Sequence, residues 1–145
     1  MMQEKNLEEG MDVHTGNKFF LIKGAFYKEK CFPSLNDLLH EAERHPKAYN
    51  KMKKDFEFIA INSIRRFLRG YKAKGKVILH YTFGEPKKGK IRDYDNIVAA
   101  GRKIVNDALV RTGTIKDDSP SYLGYGTNDF VYVETPFIKV EIEEL

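Results

Sequence analysis

The chain has 145 residues, of which 41% are hydrophobic and 32% charged, with one cysteine and a formal net charge of +4. That length supports a single domain whose core needs no disulfide, and Cys31 alone cannot form one, which fits a reducing cytosol. No run of about 18 apolar residues occurs, so nothing reads as a membrane span, and the polar, mostly acidic start from Met1 to Asp12 does not read as a signal peptide.

Residues 1–15 therefore read as a disordered N-terminus and residues 16–145 as one folded, cytoplasmic unit. Lys18 to Lys23 (KFFLIK) has the composition of a short strand ending at Gly24, and Ala25 to Phe32 is expected to return as a second one. Ser34 followed by Asp37 resembles a capping box and announces a helix through Leu38, Leu39 and Ala42, interrupted by Pro46. From Lys47 to Arg69 the positions Tyr49, Met52, Phe56, Ile59, Ile64 and Phe67 recur at helical spacing. Gly70 supplies the stop after a basic last turn. Lys76 to Phe83 alternates, with Val77, Leu79, Tyr81 and Phe83 on one face of a strand, and Gly84 to Arg92 reads as a loop. Ile97, Gly101, Ile104, Val105, Ala108 and Leu109 form the apolar stripe of a helix over Asn96–Val110, followed by Gly113. Phe137 to Glu143 alternates again, with Ile138, Val140 and Ile142 inward, and closes the chain on a strand with one wet face. The order predicts an α+β domain, a mixed sheet backed by two or three helices.

Charge is unevenly placed. Between Asn62 and Arg92 ten Lys or Arg residues face the single acid Glu85, whereas the last twelve residues hold four glutamates and one lysine. Such asymmetry favours a polyanionic partner over plain solubility.

The basic stretch leads into Arg92-Asp93-Tyr94-Asp95-Asn96, and a second acidic pair, Asp117-Asp118, follows one helix and a turn later. Residues two apart in an extended segment project to one side, so Asp93 and Asp95 can converge on one cation. The plain alternative makes Asp95 an N-cap and Asp93 a loop acid. Asp117-Asp118-Ser119-Pro120 is turn composition, and a tight turn is also a good way to aim a carboxylate. Carboxylates beside positive charge suit Mg²⁺, with Mn²⁺ as a substitute, acting on phosphodiesters. Lys87, Lys88, Lys90 and Arg92 read as a loop that grips phosphate, and Asn96 as a residue that orients the acid pair or touches phosphate. An EF-hand is excluded, because the loop lacks the glycine at its sixth position and the terminal glutamate. The four histidines show no metal spacing, and His80 reads as structural. Tyr122, Tyr125 and Phe130, in a Gly-rich segment, are candidates for stacking on unpaired bases.

Taken in order, Asp-x-Asp-Asn, a helix ending in Asp107-Ala108-Leu109, Gly113 and the Asp117-Asp118 pair resemble the RusA family of Holliday-junction resolvases, which are common in prophages. The match is tightest from Arg92 to Asp118, with a weaker echo in Pro33-Ser34-Leu35-Asn36. The resemblance implies a Mg²⁺-dependent endonuclease that acts as a homodimer and nicks four-way junction DNA symmetrically. It implies that Asp93, Asp95 and Asp118 bind the metal, with Asp117 as an outer or alternative ligand. Better-known members carry a lysine three residues after the Asn, where this chain has Ala99, and their Asn to Asp-Ala-Leu spacing is four residues shorter. If the extra turn lies at the helix start, Lys103 is the catalytic cation; Arg102 competes for the role. Two other readings are a phage DNA-binding module whose acids only cap and turn, and a different Asp-x-Asp phosphotransfer enzyme.

Overall fold

The computed structural model describes residues 10–23, 31–89 and 91–145. They form one α+β domain with three helices against a five-stranded mixed sheet. The strands are β1 (Lys18–Lys23), β2 (Val77–Pro86), β3 (Leu123–Gly124), β4 (Asn128–Val133) and β5 (Phe137–Glu144). The helices are α1 (Leu35–Arg44), α2 (Pro46–Leu68) and α3 (Tyr94–Arg111). β5 lies between β1 and β2 and runs antiparallel to both. On the far side of β2, β3 and then β4 pair with it in parallel, so α3 is the crossover that returns the chain to the same edge.

Alternation decides which face is covered. Phe20 and Ile22 of β1, Leu79, Tyr81 and Phe83 of β2, and Val140 and Ile142 of β5 are buried and share the core with the helices. On the opposite face His80 joins Glu143 through Nε2 (2.8 Å) and Thr127 through Nδ1 (3.0 Å), the structural role anticipated for it. α3 lies close on the sheet because Gly101 has no side chain. A Cβ there would stand 2.8 Å from the Phe83 ring. α2 joins α3 through Arg111, whose Nε donates to the buried Glu57 carboxylate (2.6 Å).

Local chemistry accounts for the helix limits. In α1 the capping box is complete: Ser34 Oγ accepts from Asp37 N, and Asp37 Oδ2 accepts from Ser34 N (2.9 Å). His45 closes α1 and caps α2, with Pro46 opening the second helix. Arg69 (φ 48°) and Gly70 (φ 84°) end α2 in the left-handed region.

Three expectations change, and a fourth falls mostly outside the described residues. β2 runs on through Gly84, Glu85 and Pro86 where a loop was expected, because β4 pairs with it as far as Pro86 opposite Val133. β3 and β4 themselves were not foreseen in the Gly-rich segment. Gly126, between them, comes so near the Leu79 carbonyl that any Cβ would collide with it. Of the return strand expected over Ala25–Phe32, only Cys31 and Phe32 are described, and neither is in a strand. Within the stretch read as a disordered N-terminus, residues 10–15 fold onto β1: Met11 bridges Lys18, and Asp12 Oδ1 accepts from His14 N and Thr15 N. Residues 1–9 lie outside the described residues. No described helix is long and apolar enough to cross a membrane.

Candidate functional site

α3 organises the predicted residues into two acidic stations. At its start Asp93 is the N-cap, and its Oδ1 accepts from Asp95 N (2.9 Å). The two acids are therefore not side by side on an extended strand. Capping by Asp93 starts the helix at Tyr94, so Asp95 stands in the first helical turn. The cap uses one oxygen of Asp93, and the rest of both carboxylates is exposed, in the positive field of the helix terminus. Asn96 is half-buried in the same turn.

The segment that delivers Asp93 is held by Arg92. Its Nε and NH2 donate to the two oxygens of Glu85 (2.8 Å each), and NH1 donates to the Phe32 carbonyl (2.7 Å) and approaches Asp37 (3.5 Å). Glu85 is only 6% exposed. Glu85 is first among the influences that keep Arg92 charged against its burial. Arg92, expected to grip phosphate, is instead spent on three elements of its own chain. Lys87 and Lys88 are exposed on the turn after β2. Lys87 N donates to Val133 O (3.0 Å), and its ammonium lies a loose 3.7 Å from Glu134. Lys90 lies outside the described residues.

The second station follows α3 in the chain. Asp117 Oδ1 accepts from Asp118 N (2.9 Å) in the predicted turn, and both side chains are exposed. Lys103 reaches Asp107 Oδ1 (3.2 Å), and Lys53 of α2 reaches Asp107 Oδ2 (3.3 Å). The hydrogen bond and charge of Asp107 hold the Lys103 pKa above the ordinary lysine value, and the charge of Asp118 adds to this. Arg102 points elsewhere: its NH1 donates to Asn128 of β4 (2.8 Å), and its guanidinium lies over the Tyr81 ring (4.4 Å). Of the two competing cations, Lys103 is the one grouped with Asp118.

The two stations do not merge within one chain. Asp95 and Lys103 are eight residues apart on one helix, about 12 Å at 1.5 Å per residue. Among the described residues, no group of three or more His, Cys, Asp or Glu side chains could hold a metal ion. None of Asp93, Asp95, Asp117 and Asp118 forms a salt bridge with a described residue, whereas Asp12, Asp37, Asp55, Asp107, Glu57 and Glu85 all do. Of the predicted stacking residues, Phe130 lies between Phe83 and Tyr94, and Tyr122 lies under Lys116; Tyr125 is fully exposed.

Sequence reasoning missed three contributors. Asp107 had a signal, its spacing of four from Lys103 on a helix. Glu85 and Lys53 had none, since their partners meet them only through the fold. No protein-family model and no curated protein matches this chain.

Proposed function

We propose that this chain is a Mg²⁺-dependent, structure-selective endodeoxyribonuclease of the RusA kind, resolving four-way junctions by paired symmetric nicks in DNA recombination and repair. The observation that carries the reading is the pair of acidic stations. Four exposed carboxylates lack a salt bridge to any described residue, and the charge of one of them, Asp118, helps to raise the pKa of Lys103. The donor set fits the metal: Mg²⁺ takes oxygen ligands, and one or two carboxylates with waters and a substrate phosphate satisfy it. Asp93 and Asp95 would hold it, with Mn²⁺ as a substitute, and bound there it supplies Lewis acidity and an acidified water.

The chain's own residues have separate tasks. Arg92 and Glu85 fix the segment that presents Asp93, while Lys87, Lys88 and Lys90 hold the DNA backbone and Asn96 orients the acid pair. Lys103 offsets charge that grows on the phosphate. No three of these acids gather among the described residues of one chain, which supports a centre shared by two copies, the Asp117–Asp118 end of one facing the Asp93–Asp95 end of the other. A two-fold dimer also matches a substrate with two equivalent scissile strands.

Incubation of a labelled synthetic four-way junction with Mg²⁺ or Mn²⁺, beside a linear duplex, tests the reading. Symmetric nicks in the junction alone are expected, from a particle of twice the chain mass in light scattering. An intact junction under both metals would overturn it. A second reading has its own support, since Asp93 is an N-cap and Asp117 closes a turn: a DNA-binding protein without catalysis, which would keep full function after all four acids become Asn.

A further inference from the structure

Four aromatic rings stand in series from the core to the solvent. Tyr81 stacks on Phe83 (centroids 5.6 Å apart, planes at 15°), Phe83 on Phe130 (5.4 Å, 19°) and Phe130 on Tyr94 (4.0 Å, 15°). The inner end is fixed, because the buried Tyr81 hydroxyl donates to Asn106 Oδ1 (2.7 Å) and Arg102 covers the ring. The outer end is Tyr94, the first residue of α3, between Asp93 and Asp95. One face of its ring lies on Phe130, yet the residue is 49% exposed, so the opposite face and rim meet solvent. The Tyr94 hydroxyl stands near enough to Tyr132 of β4 to push the Tyr132 pKa up. The exposed Lys87–Lys88 turn follows β2 and is bonded to Val133, three residues beyond Phe130 on β4.

A flat, supported ring with one free face costs little entropy to use, and its surroundings select the occupant. A purely apolar protein partner would bury Asp93 and Asp95 beside it at a desolvation cost. A nucleotide brings a π-face for the ring and a phosphate for the cations at Lys87 and Lys88. Within a regular duplex both faces of every base are already stacked, so the ring can accept only a base that has left the stack.

We infer that Tyr94 is a stacking platform for an unstacked nucleobase, holding that nucleotide's backbone against the Asp93–Asp95 station. The inference rests on the nucleic-acid reading above and narrows its substrate to DNA with an unpaired or unstacked base at a branch point.

The test reads binding in EDTA, where cleavage plays no part. The probes are a four-way junction and a duplex, each with 2-aminopurine, at the crossover in the junction. Tyr94→Leu keeps an apolar cover over Phe130 but removes the π-face, and Tyr94→Phe keeps it. The leucine variant is expected to bind the junction about ten-fold more weakly and to lose the fluorescence change at the crossover, as loss of one stacked base predicts. The duplex affinity should stay as in the wild type, and Tyr94→Phe should match the wild type on both. Should the leucine variant melt early, Tyr94→Met repeats the measurement. Unchanged junction affinity, an equal loss on duplex, or a fall in particle mass, which would make the ring a subunit contact, each overturns the inference. A wild type that cuts junctions beside a leucine variant of unchanged affinity would sink the platform and leave the nuclease standing. A wild type that binds neither probe would sink both.

Discussion

The two acidic stations on α3 use the same residue type and are supported in opposite ways. The Asp93–Asp95 station is held from behind: Arg92 joins the end of β2, the Phe32 carbonyl and α1, and Asp93 caps the helix that carries Asp95. The Asp117–Asp118 station sits in an exposed turn, and its neighbours Lys103, Asp107 and Lys53 are paired near the surface. Buried, bidentate support fixes position at the expense of desolvation, whereas surface pairs are screened and contribute little to stability. Changes behind the first station should therefore unfold or loosen the protein. Changes around the second should leave it folded and alter only what it does.

The largest effect should come from the acids themselves. Asp93→Asn, Asp95→Asn and Asp118→Asn are each expected to abolish junction cleavage in a gel assay while leaving junction binding intact or tighter, since a negative charge facing DNA is removed. Asn is also a good N-cap, so Asp93→Asn should melt like the wild type, whereas Asp93→Ala should lose about 1 kcal/mol of stability. Any of the three Asn variants that cuts at the wild-type rate removes its residue from the site.

Next comes the support of the first station. Arg92→Met leaves the Glu85 carboxylate buried without its partner, and breaking such a pair costs about 3–5 kcal/mol. Denaturant unfolding should show that loss, and the double change Arg92→Met, Glu85→Leu should recover much of it. Equal stability of Arg92→Met and the wild type would mean that Arg92 is free to serve DNA, as its position before Asp93 first implied.

At the second station the effect should fall on activity. Lys103→Met is expected to lower kcat with little change in melting temperature, because the Lys103–Asp107 pair is exposed. The pH dependence has a definite sign. Lys103 is raised above its ordinary pKa, first by the hydrogen bond and charge of Asp107 and then by the charge of Asp118. Whatever the charged lysine contributes is fully present below the ordinary lysine pKa and is lost as pH rises through the raised one. Asp107→Asn removes the main cause, so the alkaline fall in cleavage should move to lower pH. An unmoved alkaline limb would take Lys103 out of the chemistry.

The comparison also explains what could be read from residues alone. α3 and β5 were legible because an apolar stripe at helical spacing and a clean alternation each permit one periodic solution. The α1 start was legible because a capping box is local. β4 was hidden in Asn128–Val133, although Phe130-Val131-Tyr132-Val133 has strand composition, because the glycines before it read as a loop. The support of the first station was illegible for a stronger reason. Arg92 meets Glu85 only because β2 continues past Gly84, and that continuation depends on pairing with β4. The acids could be named, but whether they converge depends on where a helix starts, and an N-cap aspartate shifts that start by two residues.

The smallest effect separates the two stations by their surroundings. Lys87 and Lys88 stand on an exposed turn a few residues before the first station in the chain, with only the loose approach of Lys87 to Glu134 as an ion pair among described residues. Pairs that exposed hold the side chains weakly, so the turn is available to phosphate. Replacing Lys87, Lys88 and Lys90 by Ala should leave folding unchanged and weaken junction binding modestly at moderate salt. The sharper measure is the slope of log affinity against log salt, which should flatten by about 0.9 for each phosphate no longer neutralised. The same three substitutions should weaken duplex binding to a similar degree, because a grip on the backbone carries no structure preference. A triple variant with the wild-type slope would leave the turn merely solvated and shift the search for the backbone grip to Lys53 and Lys103, which would reverse the contrast between the two ends of the site.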